Sequence, residues 1–210
     1  MIPTHLQNID WKKMDGMLPA VVQDADTLQV LMVGYMNEAA LSATMESKKV
    51  TFFSRSKNRL WTKGETSENY LNLVSVEADC DNDSLLVMAR PVGPTCHKET
   101  TSCFGEAAAP GLGFLGKLWN VVDQRYAESQ KPGSEKVSYT ASLFREGLDR
   151  MAQKVGEEGV EVVIAAKNDD REELKGEAAD LFFHTMVLLR AKSLTLADVV
   201  EKLRGRHTKK

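Results

Sequence analysis

The chain has three cysteines, Cys80, Cys96 and Cys103, and all fall within 24 residues. Acids and an imidazole stand among them, in Asp79-Cys80-Asp81-Asn82-Asp83 and in Cys96-His97 with Cys103 beyond. Thiolates are zinc donors, and three of them leave one tetrahedral position open, as in a catalytic rather than a structural site. Unrelated buried cysteines, which behave as small hydrophobes, are the plainer reading. Three of three, interleaved with acids and a histidine, favour metal. No Cys-x-x-Cys occurs, so the site is assembled from separate segments and not from a finger. His97 is either a fourth ligand or a base beside the metal; a lone histidine is otherwise a hydrogen-bonded structural residue.

If residues 79–83 are extended, Asp79, Asp81 and Asp83 face one side and Cys80 the other. Three carboxylates form a hard-oxygen site suited to Mg²⁺, while the thiol serves a softer ion. The alternative is a solvated Asp-rich turn. Upstream, residues 54–67 hold Arg55, Lys57, Arg59 and Lys63 with Trp61 among them. Forked guanidinium contacts suit phosphate and the indole can stack on a base, although a solvated hairpin turn has the same composition.

A second constellation lies further on. Leu148, Met151, Val155, Val162 and Ala165 form an apolar stripe at helical spacing, with Glu158 inside it. A carboxylate there is costly unless paired or bound to metal. Glu161 lies one turn on, Glu157 at i+4 before it, and Glu177, Asp180 and His184 share a face of the next helix. Packing the two helices together gathers five carboxylates, and a divalent cation that bridges to a phosphate-bearing substrate relieves the repulsion. Two solvated acidic faces with Lys154 and Lys175 as partners are the alternative.

The elements that must position these groups divide at Gly105–Gly113, a stretch of small residues, Gly and Pro that reads as a linker at about 105–114. Before it, Leu28–Val33, Val50–Phe53, Tyr70–Val76 and Leu85–Ala89 read as strands and Glu38–Lys48 as a helix. After it the period becomes helical: Leu115–Gln130, Thr140–Asn168, Arg171–Lys192 capped by Asp170 with Glu173 three residues on, and a fourth helix after Thr195. Two domains are expected, a β-rich α+β one over 1–110 and an all-α helical bundle over 111–210.

Net charge is −3, and residues 1–110 hold 10 Lys+Arg against 14 Asp+Glu, which excludes a general basic surface for nucleic acid. No apolar run is long enough to span a bilayer. The first 11 residues have no apolar signal core, and an odd cysteine count points to a reducing cytoplasm.

Val33-Gly-Tyr-Met-Asn-Glu38, Ser54-Arg-Ser with Leu60-Trp-Thr-Lys-Gly-Glu65, Asp79-Cys-Asp-Asn-Asp83 and Gly93-Pro-Thr-Cys-His97 with Ser102-Cys-Phe104 resemble the phosphoribosyl-AMP cyclohydrolases of histidine biosynthesis. The resemblance covers most of residues 1–105. It implies a homodimer with zinc held by Cys80, Cys96 and Cys103, Cys80 coming from the partner subunit, and Mg²⁺ at Asp79, Asp81 and Asp83. Glu68 and Glu99 stand where that family usually has glycine. If those backbones are left-handed, a glutamate there strains the loop.

Ser138-Tyr-Thr-Ala-Ser-Leu-Phe144, Lys154-Val-Gly-Glu-Glu-Gly-Val-Glu161 and Glu177-Ala-Ala-Asp-Leu-Phe-Phe-His184 resemble the phosphoribosyl-ATP pyrophosphohydrolases, over roughly 115–205. Together the two resemblances imply a bifunctional hydrolase of the second and third steps of histidine biosynthesis. Its substrates would be phosphoribosyl nucleotides, and Glu157, Glu158, Glu161, Glu177 and Asp180 would hold Mg²⁺. Two other readings stay open: a zinc nucleobase deaminase fused to a nucleotide-pool pyrophosphatase, and a structural zinc domain on a helical dimerisation module. The deaminase signature His-x-Glu with Pro-Cys-x-x-Cys is absent.

Overall fold

The computed structural model describes residues 3–105, 111–131 and 138–207. Residues 106–110, the centre of the expected linker, and residues 132–137 lie outside the described residues. The chain divides into two compact units, Met1–Lys117 and Leu118–Lys210. The first is rich in strands and the second helical, as the change of sequence period predicts. No described helix is long and apolar enough to cross a membrane.

The first unit is built on a four-stranded sheet of β1 (Leu18–Asp24), β2 (Val30–Met36), β5 (Leu71–Ala78) and β6 (Leu85–Pro91), in the order β2-β1-β6-β5. β1 runs parallel to β6, and the other pairs are antiparallel. β3 (Thr51–Ser54) and β4 (Arg59–Thr62) form a separate hairpin. Leu18, Ala20 and Val22 alternate into the core from β1, where they meet Leu31 and Met36 of β2, Leu85, Val87 and Ala89 of β6 and Phe52 of β3. Helix α1 (Glu38–Ser47) adds Ala40 and Leu41. Asn37 caps it through Oδ1, which accepts the Ala40 N–H at 2.8 Å.

Two strands are absent from the sequence reading. In β1, Pro19 argues against a central strand. It is accommodated because the β1–β6 ladder starts one residue later, at Ala20 opposite Leu85. β4 lies inside the cationic stretch that reads as a loop. Residues 79–83 are a turn between β5 and β6, not an extended segment. Asn82 adopts φ 58°, and the Asp79 carboxylate accepts the N–H groups of Asp83 and Ser84 at 3.0 and 3.1 Å. Strand alternation therefore does not set the directions of Cys80 and the aspartates.

The second unit contains α2 (Gly113–Ser129, whose first residues belong to the first unit), α3 (Tyr139–Glu146), α4 (Leu148–Ala165), α5 (Arg171–Ala191) and α6 (Leu196–His207). Val122, Leu143, Met151 and Val187 form its core. Asp170 caps α5 by accepting the N–H groups of Glu172 and Glu173. The Glu173 carboxylate takes the Asn168 amide rather than closing a capping box. Thr195 and Asp198 do close one: Thr195 N–H donates to Asp198 Oδ2 at 2.7 Å and Asp198 N–H to Thr195 Oγ1 at 3.2 Å.

The continuous helix expected over 140–168 is broken at Gly147, where φ is 96° and ψ −179°. That backbone region is open essentially only to glycine, and the helical period on both sides hides the break. Gly147→Ala is expected to destabilise the helical unit by about 1–3 kcal/mol in denaturant unfolding followed by circular dichroism. Wild-type stability in this variant would show that the break does not need glycine.

Candidate functional site

In the first unit a cavity of about 440 Å³ is lined by Trp61, Lys63, Asn69, Cys96, His97, Glu99 and Cys103, among others. The sulfur-bearing loop hangs on β2: Cys103 N–H donates to Leu31 O at 2.8 Å and Ser102 Oγ to Val30 O at 2.8 Å. Cys96 begins a turn in which its carbonyl accepts the Glu99 N–H and its N–H donates to Thr100 O. The two thiols line the same cavity and differ in acidity. Cys96 is lowered, chiefly by the Lys98 N–H, whereas Cys103 is raised, first by burial and then by Cys96. Lys63 is 8% exposed, and its ammonium donates to Asn69 O at 3.3 Å. Burial pushes its pKa down, against the pull of Cys103 and Cys96. Two sulfurs that resist joint ionisation beside one ammonium fit a divalent thiophilic cation, which removes their repulsion.

Cys80 is exposed on the β5–β6 turn. Among the described residues of one chain, the three sulfurs do not gather into a single ligand set. His97 is exposed, with Nδ1 3.8 Å from Cys96 Sγ. Of the cationic stretch, Trp61 and Lys63 line the cavity and Arg55, Lys57 and Arg59 do not. The Arg55 guanidinium lies 4.0 Å over the Tyr35 ring. Arg59 is ion-paired with Glu65 at 2.5 Å, and Lys57 is exposed. Trp61 stacks one face on Phe52, centroids 5.7 Å apart.

Asp79, Asp81 and Asp83 each offer an oxygen within 4.8 Å of the others. Sequence reasoning missed Lys13, whose Nζ lies 2.5 Å from Asp81 and 2.6 Å from Asp83 and holds the Asp81 carboxyl below its usual range. Its only sequence signal was charge, in Trp11-Lys-Lys-Met-Asp15. Glu68 and Glu99 have φ 60° and 63°, the left-handed region that favours glycine.

In the helical unit, Glu158 is 4% exposed, and Glu158, Glu161 and Glu177 bring oxygens within 4.8 Å of one another. Lys154 Nζ stands 2.7 Å from Glu158 and 2.9 Å from Glu157 and holds both carboxyls below their usual range. Glu161 is raised, first by Glu158, then by burial and the nearby Glu177. Glu157 turns to Lys154, Gln153 and Arg150, and Asp180 is exposed outside the gathered set. His184 Nε2 lies 3.7 Å from Glu158 Oε1 and 3.5 Å from Tyr139 Oη. Burial lowers its pKa, against the pull of the Glu158 carboxylate. Three carboxylates against one ammonium leave an excess of negative charge that suits a hard divalent cation.

A family model described as phosphoribosyl-AMP cyclohydrolase matches residues 32–105, which hold the cavity and the acidic turn. One described as phosphoribosyl-ATP pyrophosphohydrolase matches residues 124–207, which hold the glutamate cluster. The histidine biosynthesis bifunctional protein HisIE of Escherichia coli is 55% identical over 201 residues, covering 96% of each chain. The chain belongs to the bifunctional HisIE family. The HisIE proteins of Salmonella typhimurium, 54% identical over 96% of each chain, and Photobacterium profundum, 53% identical over 96% of this chain and 97% of its own, are similar to a comparable degree. Membership overturns the deaminase and structural-zinc alternatives.

The left-handed glutamates give a direct test. Glu99→Gly is expected to stabilise the first unit by about 1 kcal/mol, the lower end of the cost of such a backbone, read as a higher melting temperature. A lower melting temperature would mean that contacts of the glutamate side chain outweigh the strain.

Proposed function

We propose that the helical unit hydrolyses phosphoribosyl-ATP to phosphoribosyl-AMP and pyrophosphate, and that the β-rich unit then opens the adenine ring of phosphoribosyl-AMP by hydrolysis. The observation that carries this is the coincidence of two family matches with two separate, chemically different donor sets. Magnesium held by Glu158, Glu161 and Glu177 would offset the charge of the triphosphate, and zinc held by Cys96, Cys103 and a third thiolate would supply a Lewis acid at the purine.

In the first reaction water adds at the α-phosphorus, the α–β anhydride bond breaks, and pyrophosphate leaves. Glu158 is fixed for this by Lys154 on one oxygen and by burial, while Glu161 stays exposed. In the second reaction water adds at C6 and the N1–C6 bond breaks. Trp61 offers an apolar wall to the purine, and Lys63, which lines the same cavity, supplies a counter-charge for an anionic substrate. His97 stands beside Cys96 at the rim, where its ring nitrogens can take the proton that water loses.

The exposed Cys80, apart from the other two thiols, fits a ligand contributed to a second copy of the chain in a homodimer. Three free thiols without a disulfide fit a reducing cytoplasm.

Two measurements test this. With phosphoribosyl-ATP as substrate, Glu158→Gln is expected to abolish pyrophosphate release and leave ring opening of supplied phosphoribosyl-AMP nearly intact. Cys96→Ser is expected to do the reverse, and joint loss in either variant would sink the division of labour. Metal analysis of Cys80→Ser is expected to show zinc well below one per chain. Retention of a full equivalent would overturn sharing across subunits.

A further inference from the structure

The segment before β1 carries a lysine into the acidic turn. Lys13 Nζ meets Asp81 Oδ2 at 2.5 Å and Asp83 Oδ2 at 2.6 Å. The backbone holds it there. Leu6 and Ile9 are buried in the core and Trp11 packs against it. Asp10 N–H donates to Asn82 O, within the acidic turn itself, at 3.0 Å. Lys13 N–H in turn donates to Asp10 O at 3.2 Å and to Asp10 Oδ1 at 3.1 Å. The segment is thus tied to the turn three residues before the lysine, and the ammonium is delivered to a fixed address.

An ammonium is a compact point charge with three donors. A divalent cation on Asp79, Asp81 and Asp83 needs the same oxygens, and two cations at that separation repel strongly. The three carboxylates are not equivalent. Asp79 is committed to the N–H groups of Asp83 and Ser84 and shapes the turn. Asp81 and Asp83 spend their charge on Lys13. The Lys13 side chain is 41% exposed and that of Asp81 58%, so the ammonium can swing into solvent without opening the core.

We infer that Lys13 is the built-in counter-ion of the acidic turn, and that a divalent cation binds Asp79, Asp81 and Asp83 only by displacing the Lys13 ammonium from Asp81 and Asp83. This rests on the reading of the turn as a magnesium site. Lys13 is then a positioning residue. It holds the carboxylates together before the cation arrives, and it sets the cation concentration at which the turn fills.

The test is calorimetric titration of Mg²⁺ into the full chain carrying Glu161→Gln and Glu177→Gln, which silence the helical cluster. Adding Lys13→Met is expected to tighten Mg²⁺ binding about threefold, the scale that two exposed ion pairs allow, and to lower the melting temperature of the cation-free protein slightly. Lys13→Arg, which keeps the charge, is expected to return both toward the parent values. Unchanged or weaker Mg²⁺ binding in Lys13→Met overturns the exchange. Asp81→Asn, run alongside, is expected to abolish binding. If it binds Mg²⁺ as tightly as the parent, the turn is not the cation site, and the reading beneath the inference falls with it.

Discussion

Carboxylates gathered within a few ångström repel one another, and each of the two acidic clusters takes an ammonium from its own chain. Lys154 sits on Glu158 and Lys13 on Asp81 and Asp83. The two cases differ in strength. The aspartates lie in solvent, where screening leaves each ion pair worth little. Glu158 is buried, and a buried carboxylate without a partner is among the more costly features a fold can carry. Lys154 is therefore part of what allows Glu158 to stand in an apolar stripe at all. The neighbours Glu161 and Glu177 bring their oxygens to the same place, within 4.8 Å of one another and of Glu158.

The sulfur site follows a different logic. Its reactive groups lie on loops, but the loops are fastened to the sheet by main-chain bonds. Cys103 donates to Leu31 in β2, and Lys63 donates through its N–H to Val50 at the edge of β3. A rigid scaffold with function on its connections is the usual arrangement of binding sites. Here it sets a soft-donor pair and a buried ammonium at one cavity, while the hard donors of the β5–β6 turn form a separate group.

Much of this was legible in the sequence. The change from bursts of apolar residues to a helical period marked the two classes of structure, and Glu158 betrayed itself as a charge inside an apolar stripe. Other features left no local signal. Pro19 disguised β1, because whether a proline is tolerated depends on where the neighbouring strand begins. Asp79, Asp81 and Asp83 converge, but through a turn closed by Asp79 and a left-handed Asn82, where alternation has no meaning. Glu157 matches the acidic pattern yet turns to Lys154, Gln153 and Arg150, and Arg59 matches a phosphate ligand yet is taken by Glu65. Such competition between neighbours is decided by side-chain packing. Lys13 was invisible for the same reason, since its partner Asp81 lies 68 residues away.

The break at Gly147 has a geometric effect on the glutamate site. In one unbroken helix, the axial rise would carry Tyr139 about 28 Å from Glu158, beyond the reach of any side chain. Because the chain turns at Gly147, the Tyr139 hydroxyl and the Glu158 carboxylate instead approach the same imidazole nitrogen of His184, at 3.5 and 3.7 Å. One residue without a side chain thus folds a distance along the sequence into a three-residue neighbourhood around a single nitrogen.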